Sequence, residues 1–510
     1  MYVTDFALTN VRKNCYTFIQ NGNEVLPRFL IETAKRLMTS VHGTGVSAFF
    51  CYRNYQLLVR RFNFDYAGNE SDSRSVFYLI QGRNKSEEHG GKRKRNETEE
   101  NRNICRKKEQ WILQGKYVIL AVLVGICVGI VDTIFGRGLL AISDFREQYY
   151  RYLLPILPVA GLAIVWMYQR FSSLSLKGMT LVFEVGRKKR EEIPLALVPL
   201  VMIGTWSTHL FGGSAGREGV AVQIGATLSH EAGRRLHIKE AKPVMLITGM
   251  AAGFGGLFQT PLAAVFFAME VGVSGYVEYD ALLPALIASY TASTTSHLLG
   301  LEKFAVDVQE IWQIGNIKNV VILVILGLAF GLTGRCFSVL LQKTKKLAGD
   351  KISNPLVRIG CLAIPLAVIL LALHSARYSG LGTNLITASF DGDTIYGYDW
   401  ILKLLLTIAT LAIGFQGGEV TPLFSIGASL GVVLGSALGV PPVVCASLGY
   451  AAVFGSATNT VIAPILIGLE VFGSQNAIPL VVVCLLAYMV NGNHSIYGAQ
   501  VKARCSFEEK

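Results

Sequence analysis

Charge is what this chain lacks most. Asp, Glu, Lys and Arg supply 16% of its 510 residues, against about 25% in a soluble globular chain. With 51% apolar residues, that shortage excludes an ordinary soluble multidomain enzyme. The nine cysteines include no CxxC pair and lie mostly inside apolar runs, which argues for small buried hydrophobes and against a disulfide or zinc framework. HExxH spacing is missing, the eight histidines do not cluster, and no Walker A pattern occurs. No metal site, no cofactor and no ATP-driven step are therefore expected within the chain. GGSAG at 212–216 is not the GxSxG of a hydrolase elbow. Glycine shows no three-residue period, which excludes collagen, and no short basic start with an apolar core marks a secretory signal.

What is present is apolar sequence. Mean hydropathy is +0.43, and the 52 glycines suit transmembrane helices better than soluble ones. The stretch 117–136 is long enough to cross a hydrocarbon core of about 30 Å. Further apolar segments run at about 152–168, 193–211, 243–258, 260–275, 281–300, 319–341, 358–374, 399–415, 422–440, 442–454, 459–472 and 476–490. Several are too short for a perpendicular crossing and are broken by glycine or proline. Broken helices are tolerated only where they are buried in protein or line a cavity, and in transporters they mark the binding site.

Residues 1–110 differ in composition. Two elements are expected there, an amphipathic helix at 24–41 and an aromatic and arginine-rich stretch at 46–64. The stretch 83–108, with KRKR at 92–95, cannot form a core of useful size and is expected to be disordered. The whole segment reads as a basic cytoplasmic extension rather than a nucleic-acid arm. The other basic clusters, RKKR at 187–190, Arg234 with Arg235, and Lys343 with Lys345 and Lys346, lie between apolar segments. The formal charge of +12 thus reports orientation, with both termini cytoplasmic, and not a partner.

Two pairs of segments repeat about 200 residues apart. Gly213, Gly216 and Glu218 match Gly414, Gly417 and Glu419, and IGA at 224–226 matches IGA at 426–428. GMAAGFGGLFQTPLAAVFFAMEV at 249–271 matches 449–471 without a gap, with Glu270 opposite Glu470. Such repeats place the substrate site where the halves meet, near mid-membrane.

Glu218 lies between apolar stretches in GREG. A carboxylate at that depth costs about 2.5–3.5 kcal/mol on insertion scales and needs a partner or a task. The flanking Gly216 and Gly219 open the backbone to a ligand. The helix that follows presents its positive end, which binds either a dissolved anion or the Glu218 carboxylate itself. Protonation would release the carboxylate and admit the anion, coupling the two movements. The alternative is a glutamate that caps its own helix. Glu419, in GGEVTP, has the backbone N–H groups of Val420 and Thr421 and the Thr421 hydroxyl beside it, and either shares this chemistry, caps a helix or pairs with Arg or Lys. Glu270 and Glu470 are expected to have structural partners.

With GREG and the repeat, residues 115–500 resemble the CLC family of chloride channels and proton-coupled anion transporters. The resemblance implies an all-α integral membrane protein of the CLC type. Its two pseudo-symmetric inverted halves, at about 115–300 and 315–495, are built from broken and tilted helices within a membrane domain 111–500, followed by a short tail at 501–510. It assigns the gating and proton-carrying role to Glu218. It places Met179, Gly216, Arg217, Gly219, Val220, Val420, Thr421 and Tyr497 along the anion path, Tyr497 by its match to a pore-lining tyrosine. Two departures narrow the branch. The chloride members carry a serine where Met179 stands, and an inner glutamate where Val271 stands. Together with GGEVTP these are similar to the fluoride-selective branch, in which the glutamate matching Glu419 is a candidate for proton coupling. The implied function is export of fluoride in exchange for protons. A chloride/proton antiporter or a chloride channel of the same fold is the alternative. The expected setting is a homodimer in a bacterial plasma membrane, without nucleic acid as a partner.

Overall fold

A computed structural model describes residues 85–235, 242–313 and 315–502 of the protein. The elements expected at 24–41 and 46–64 lie outside the described residues. The second of two compact units, Asn96–Lys510, holds every described element except the first turns of α1.

The described residues are helical almost throughout. They form α1 (Lys85–Leu153), α2 (Leu157–Phe171), α3 (Met179–Gly186), α4 (Leu197–Leu210), α5 (Glu218–Arg235), α6 (Lys242–Phe258), α7 (Pro261–Glu270) and α8 (Leu282–Leu298) in the first half. The second half holds α9 (Ile317–Lys351), α10 (Pro355–Ala372), α11 (Thr383–Asp391), α12 (Asp399–Ile413), α13 (Val420–Leu438), α14 (Pro442–Thr458), α15 (Ile462–Phe472) and α16 (Ala477–Asn491). One two-residue parallel ladder joins β1 (Val273–Ser274) to β2 (Val501–Lys502). Over part of the stretch 83–108, where disorder is expected, the described backbone is helical. Helix α1 starts at Lys85; the run holds many Lys, Arg and Glu, which favour helix, and continues without Pro into an apolar span that propagates the same conformation.

Among the described residues, four segments are long and apolar enough to cross a bilayer: Leu113–Phe171, Ile317–Lys351, Pro355–Ala372 and Val420–Leu438. The 35 residues of α9 span about 52 Å at 1.5 Å per residue, more than the hydrocarbon core requires, so this helix tilts or projects. Six other apolar helices hold only 10–17 residues. Each has one end buried in protein, at Leu197, Phe258, Glu270, Thr458, Phe472 and Asn491 in chain order, as short spans in a membrane require.

The repeat is built twice in three dimensions. Helices α5 and α6 cross where Gly225 and Gly249 meet, and a Cβ on either would collide with the carbonyl of the other. In the second half α13 and α14 cross at Gly427 and Gly449 with the same mutual exclusion. These are the repeat-equivalent glycines, and both pairs let backbones touch as small residues do in membrane helix packing.

The halves run in opposite senses. Gly216 N donates to Gly418 O at 2.6 Å and Gly418 N to Gly216 O at 2.7 Å, an antiparallel bridge immediately before the equivalent helices α5 and α13. Further along the chain the equivalent glutamates exchange places. Glu270, at the end of α7, accepts N–H bonds from Val461, Ile462 and Ala463 at the start of α15. Glu470, on α15, accepts from Leu262 and Ala263 at the start of α7. Each carboxylate caps the other half's helix, satisfying donors that would otherwise be orphaned. The structural partners expected for both residues are therefore backbone amides across the repeat.

Candidate functional site

Both equivalent helices begin at the meeting of the halves. Glu218, the first residue of α5, is fully buried, yet its side chain does not cap its own helix. Its Oε2 reaches the N-terminus of α13, where it accepts from Thr421 N at 3.1 Å and Thr421 Oγ1 at 2.5 Å. Arg217 N adds a third donor at 3.3 Å, and Arg217 Nε lies 3.6 Å from Oε1. Three donors converging on one anionic oxygen at a helix start form an anion slot, and the carboxylate oxygen stands where a small anion would sit. Oε1 itself has no hydrogen-bond partner among the described residues.

The walls are apolar. Val220 and Val420 are fully buried, and Thr421 is nearly so. The antiparallel bridge fixes Gly216 against Gly418, leaving no room for a side chain at Gly216, where a Cβ would press on Pro422. Gly219 faces Gly418 and the Glu419 carboxylate. Glu419 occupies the N-cap position of α13 without capping it. Its carboxylate turns instead to Lys345 Nζ at 3.4 Å, on a partly exposed surface. The pairing with a basic residue that the sequence allowed is thus the one observed, and Lys345, 74 residues away, carried no sequence signal for it.

Tyr497 is buried, and its hydroxyl has no hydrogen-bond partner among the described residues. Its ring packs edge-on against Phe183, centroids 5.6 Å apart. Phe183 lies one turn after Met179 on the same face of α3, so Tyr497 and the half-buried Met179 border one region. Gly178, before Met179, takes φ +50° against the Gln223 amide, and Gln223 Nε2 donates to Gly219 O at 3.1 Å, tying the start of α3 to the first turns of α5. Beside Met179, Lys177 and Arg190 hold the Glu184 carboxyl below its usual range, at 2.9 and 2.7 Å.

The segment bearing Tyr497 is held by a polar network that sequence reasoning missed. Gln500 Nε2 donates to Val271 O at 3.0 Å and Thr458 O at 3.1 Å. Asn459 Nδ2 reaches Ser274, Asn493 and Gln500, and Ile496 N donates to Ala457 O at 2.8 Å. Gln and Asn at the ends of apolar runs were the available signal, since buried amides rarely stay unpaired.

A second missed group lies behind the slot. Lys403, fully buried on α12, donates to Ser214 Oγ at 2.9 Å, Tyr378 O at 3.1 Å and Gly380 O at 2.8 Å. A lysine within DWILKLLLTIATL is itself a signal, because ionisable residues inside membrane segments are rare. Among the described residues no cluster of three or more His, Cys, Asp or Glu could hold a metal.

Comparison with known proteins agrees with this architecture. The profile of the family described as voltage gated chloride channel matches residues 160–492. The chloride/fluoride channel protein of Pseudomonas syringae pv. tomato is 34% identical over 393 residues, covering 76% of this chain and 86% of that protein. The H(+)/Cl(-) exchange transporter ClcA of Yersinia pestis is 26% identical over 426 residues, covering 75% and 86%. Among solved structures, the crystal structure of a CLC-type fluoride/proton antiporter superposes with a TM-score of 0.75 at 49% identity, covering 76% of this chain and 98% of that one. A slow cyanobacterial Cl-/H+ antiporter shares the fold, with a TM-score of 0.64 at 21% identity, covering 75% and 96%.

Proposed function

The chain belongs to the voltage-gated chloride channel (CLC) family, a family of membrane transporters, and from that premise we propose that it exports fluoride in exchange for protons. The observation that carries the reading is the Glu218 carboxylate seated on the donors of the opposite half. Similarity to a fluoride/proton antiporter at 49% identity supports fluoride as the anion.

The geometry makes the exchange a competition. Ionised Glu218 fills the slot and shuts it. A proton on the carboxyl removes the charge that Thr421 N, Thr421 Oγ1 and Arg217 N stabilise, and the side chain leaves. An anion then takes the three donors, and only one of the two occupants fits at a time. Fluoride is small and strongly hydrated, so it needs close donors in place of water. Thr421 provides two, and the unpaired Tyr497 hydroxyl provides another along the route. Met179 and the valines at 220 and 420 add no charge and narrow the passage. Glu419, partly exposed beside Lys345, is the second carboxylate on the proton route, in place of the inner acid that Val271 lacks. Both termini lie in the cytoplasm of a bacterial cell, the carrier sits in the plasma membrane, and it works as a homodimer with one path per subunit.

The test is anion efflux from proteoliposomes loaded with fluoride or chloride, with and without a pH gradient. Fluoride efflux matched by proton uptake, with slow chloride efflux, is expected. Equal or faster chloride efflux with proton exchange would replace this reading by a chloride/proton antiporter, as the similarity to ClcA allows. Chloride efflux without proton movement would make the protein a channel.

A further inference from the structure

We propose that Arg146, Ser379 and the bare Cα of Gly380, backed by Lys403, form a separate outer station for a small inorganic anion on its way to or from the Glu218 slot. Arg146 lies near the end of α1 and is 6% exposed. Its Nη2 touches the Glu147 carboxylate at 3.3 Å, but its Nη1 is buried without a partner among the described residues. Burying a donor unpaired is costly, and more so on a cation. The Nη1 group lies directly over Gly380, where a Cβ would collide with it, and Gly380 has φ +63°. Glycine there provides both the backbone conformation and the space. The Oγ of the preceding Ser379 is also buried and unpartnered, as is Ser143 Oγ, one turn before Arg146 on the same face of α1. Buried donors without acceptors in one neighbourhood are what an anion would satisfy.

Charge in this region favours the same ligand. Lys403 makes three bonds, to Ser214 Oγ, Tyr378 O and Gly380 O, the number of donors an ammonium carries. Of the acids nearby, Glu147 is 64% exposed and Asp144 is exposed. Asp399 is taken up by Arg377 at 2.9 Å and by the Tyr378 hydroxyl at 2.6 Å. That leaves Arg146 Nη1 without an acidic partner among the described residues. The station also connects to the slot through backbone. Gly380 pairs with Gly213 and Ala215, and the strand continues through Gly216 to Glu218. The 18 residues of α5 put about 27 Å between this end and Arg234 and Arg235, so the station faces the side away from those basic residues.

The proposal rests on the reading of the chain as an anion/proton exchanger. Its test is fluoride uptake into proteoliposomes over a range of external fluoride, with proton flux recorded in parallel, for the full chain and for Arg146→Gln, Arg146→Lys and Ser379→Ala. Arg146→Gln is expected to raise the half-saturating fluoride concentration roughly tenfold, the effect of losing one charge-assisted hydrogen bond. Ser379→Ala should raise it less, and Arg146→Lys should recover part of the loss, all with an unchanged proton-to-fluoride ratio. Unaltered half-saturation in both Arg146→Gln and Ser379→Ala would overturn the station, and so would an altered ratio in either. If Arg146→Gln does not fold, Arg146→Lys and Ser379→Ala decide on the same criteria. Absence of coupled flux in the unaltered chain would instead sink the exchanger reading.

Discussion

Thr421 holds Glu218 twice, through its N–H and its hydroxyl, and the hydroxyl can be removed without touching the backbone. Thr421→Val keeps the shape and deletes a charge-assisted bond worth about 1.5–3 kcal/mol. The closed pose of Glu218 should weaken by roughly tenfold or more, and fluoride should leak without proton uptake. Fluoride and proton traces recorded together in proteoliposomes test this, and an unchanged ratio would show that the backbone donors suffice. Glu218→Gln goes further, since an amide carries no exchangeable charge. Proton coupling should vanish whatever the remaining anion flux, and coupled exchange in that variant would remove Glu218 from the mechanism. These residues were readable because they sit in two short motifs at equivalent repeat positions, with a carboxylate where burial is expensive. The partners of Glu419 and Glu218 were not, because Lys345 and Thr421 are 74 and 203 residues away in the chain. Arg146 was hidden for another reason: its neighbour Glu147 makes it look like an ordinary surface pair, and only folding shows Nη1 pressed over Gly380.

At the level of helices, apolar runs located most of the long and middle-sized elements, because membrane segments advertise themselves by composition. Helices α3 and α11, of eight and nine residues, were not located, since so few residues carry no recognisable period. What composition could not tell was why glycines recur at equivalent places. The structure answers with the two close crossings, α5 on α6 and α13 on α14. Gly249→Ala and Gly449→Ala each place a methyl into a backbone carbonyl, and each should lower the unfolding temperature in detergent, by comparable amounts. A tolerated alanine at either would mean the crossings open more easily than their spacing implies. The crossed caps make a second prediction. Glu270→Ala strips Val461, Ile462 and Ala463 of their acceptor, at about 1–3 kcal/mol for each buried group left unpaired. Because Glu270 and Glu470 act on two ends of one α7–α15 pair, Glu270→Gln and Glu470→Gln should couple in a double-mutant cycle of thermal stability by about 0.5 kcal/mol or more. Strict additivity would mean that the caps act independently. The start of α3 answers to pH differently. The lowered Glu184 pKa makes its ties to Lys177 and Arg190 fully present above the free carboxyl value of about 4.3, and they are lost as pH falls through the folded value. Gradients between about pH 5 and 7.5 therefore leave the turn before Met179 intact.

For the whole molecule, the question is how much of the chain the exchange needs. The sequence divided the chain near residue 110 by composition, and it found the repeat without showing its sense. The sense emerges only when the Gly216–Gly418 bridge and the exchanged glutamate caps are seen together, because an inverted and a parallel repeat have the same pattern of letters. Both halves, the slot, the Tyr497 segment and the Arg146 group lie within residues 113–502. The fluoride/proton antiporter structure fits 98% of its own chain onto 76% of this one, and the family match begins at residue 160. An antiporter 98% of whose crystallised chain corresponds to part of this one offers no counterpart to the remainder in that structure. Deletion of residues 1–84 is therefore expected to leave the fluoride-to-proton ratio unchanged in proteoliposomes, with turnover within about twofold. A changed ratio would make the basic N-terminal segment part of the coupling machinery. A large loss of turnover at constant ratio would make it a regulator of how often the Glu218 slot opens, because a segment acting only on the opening rate scales both fluxes together.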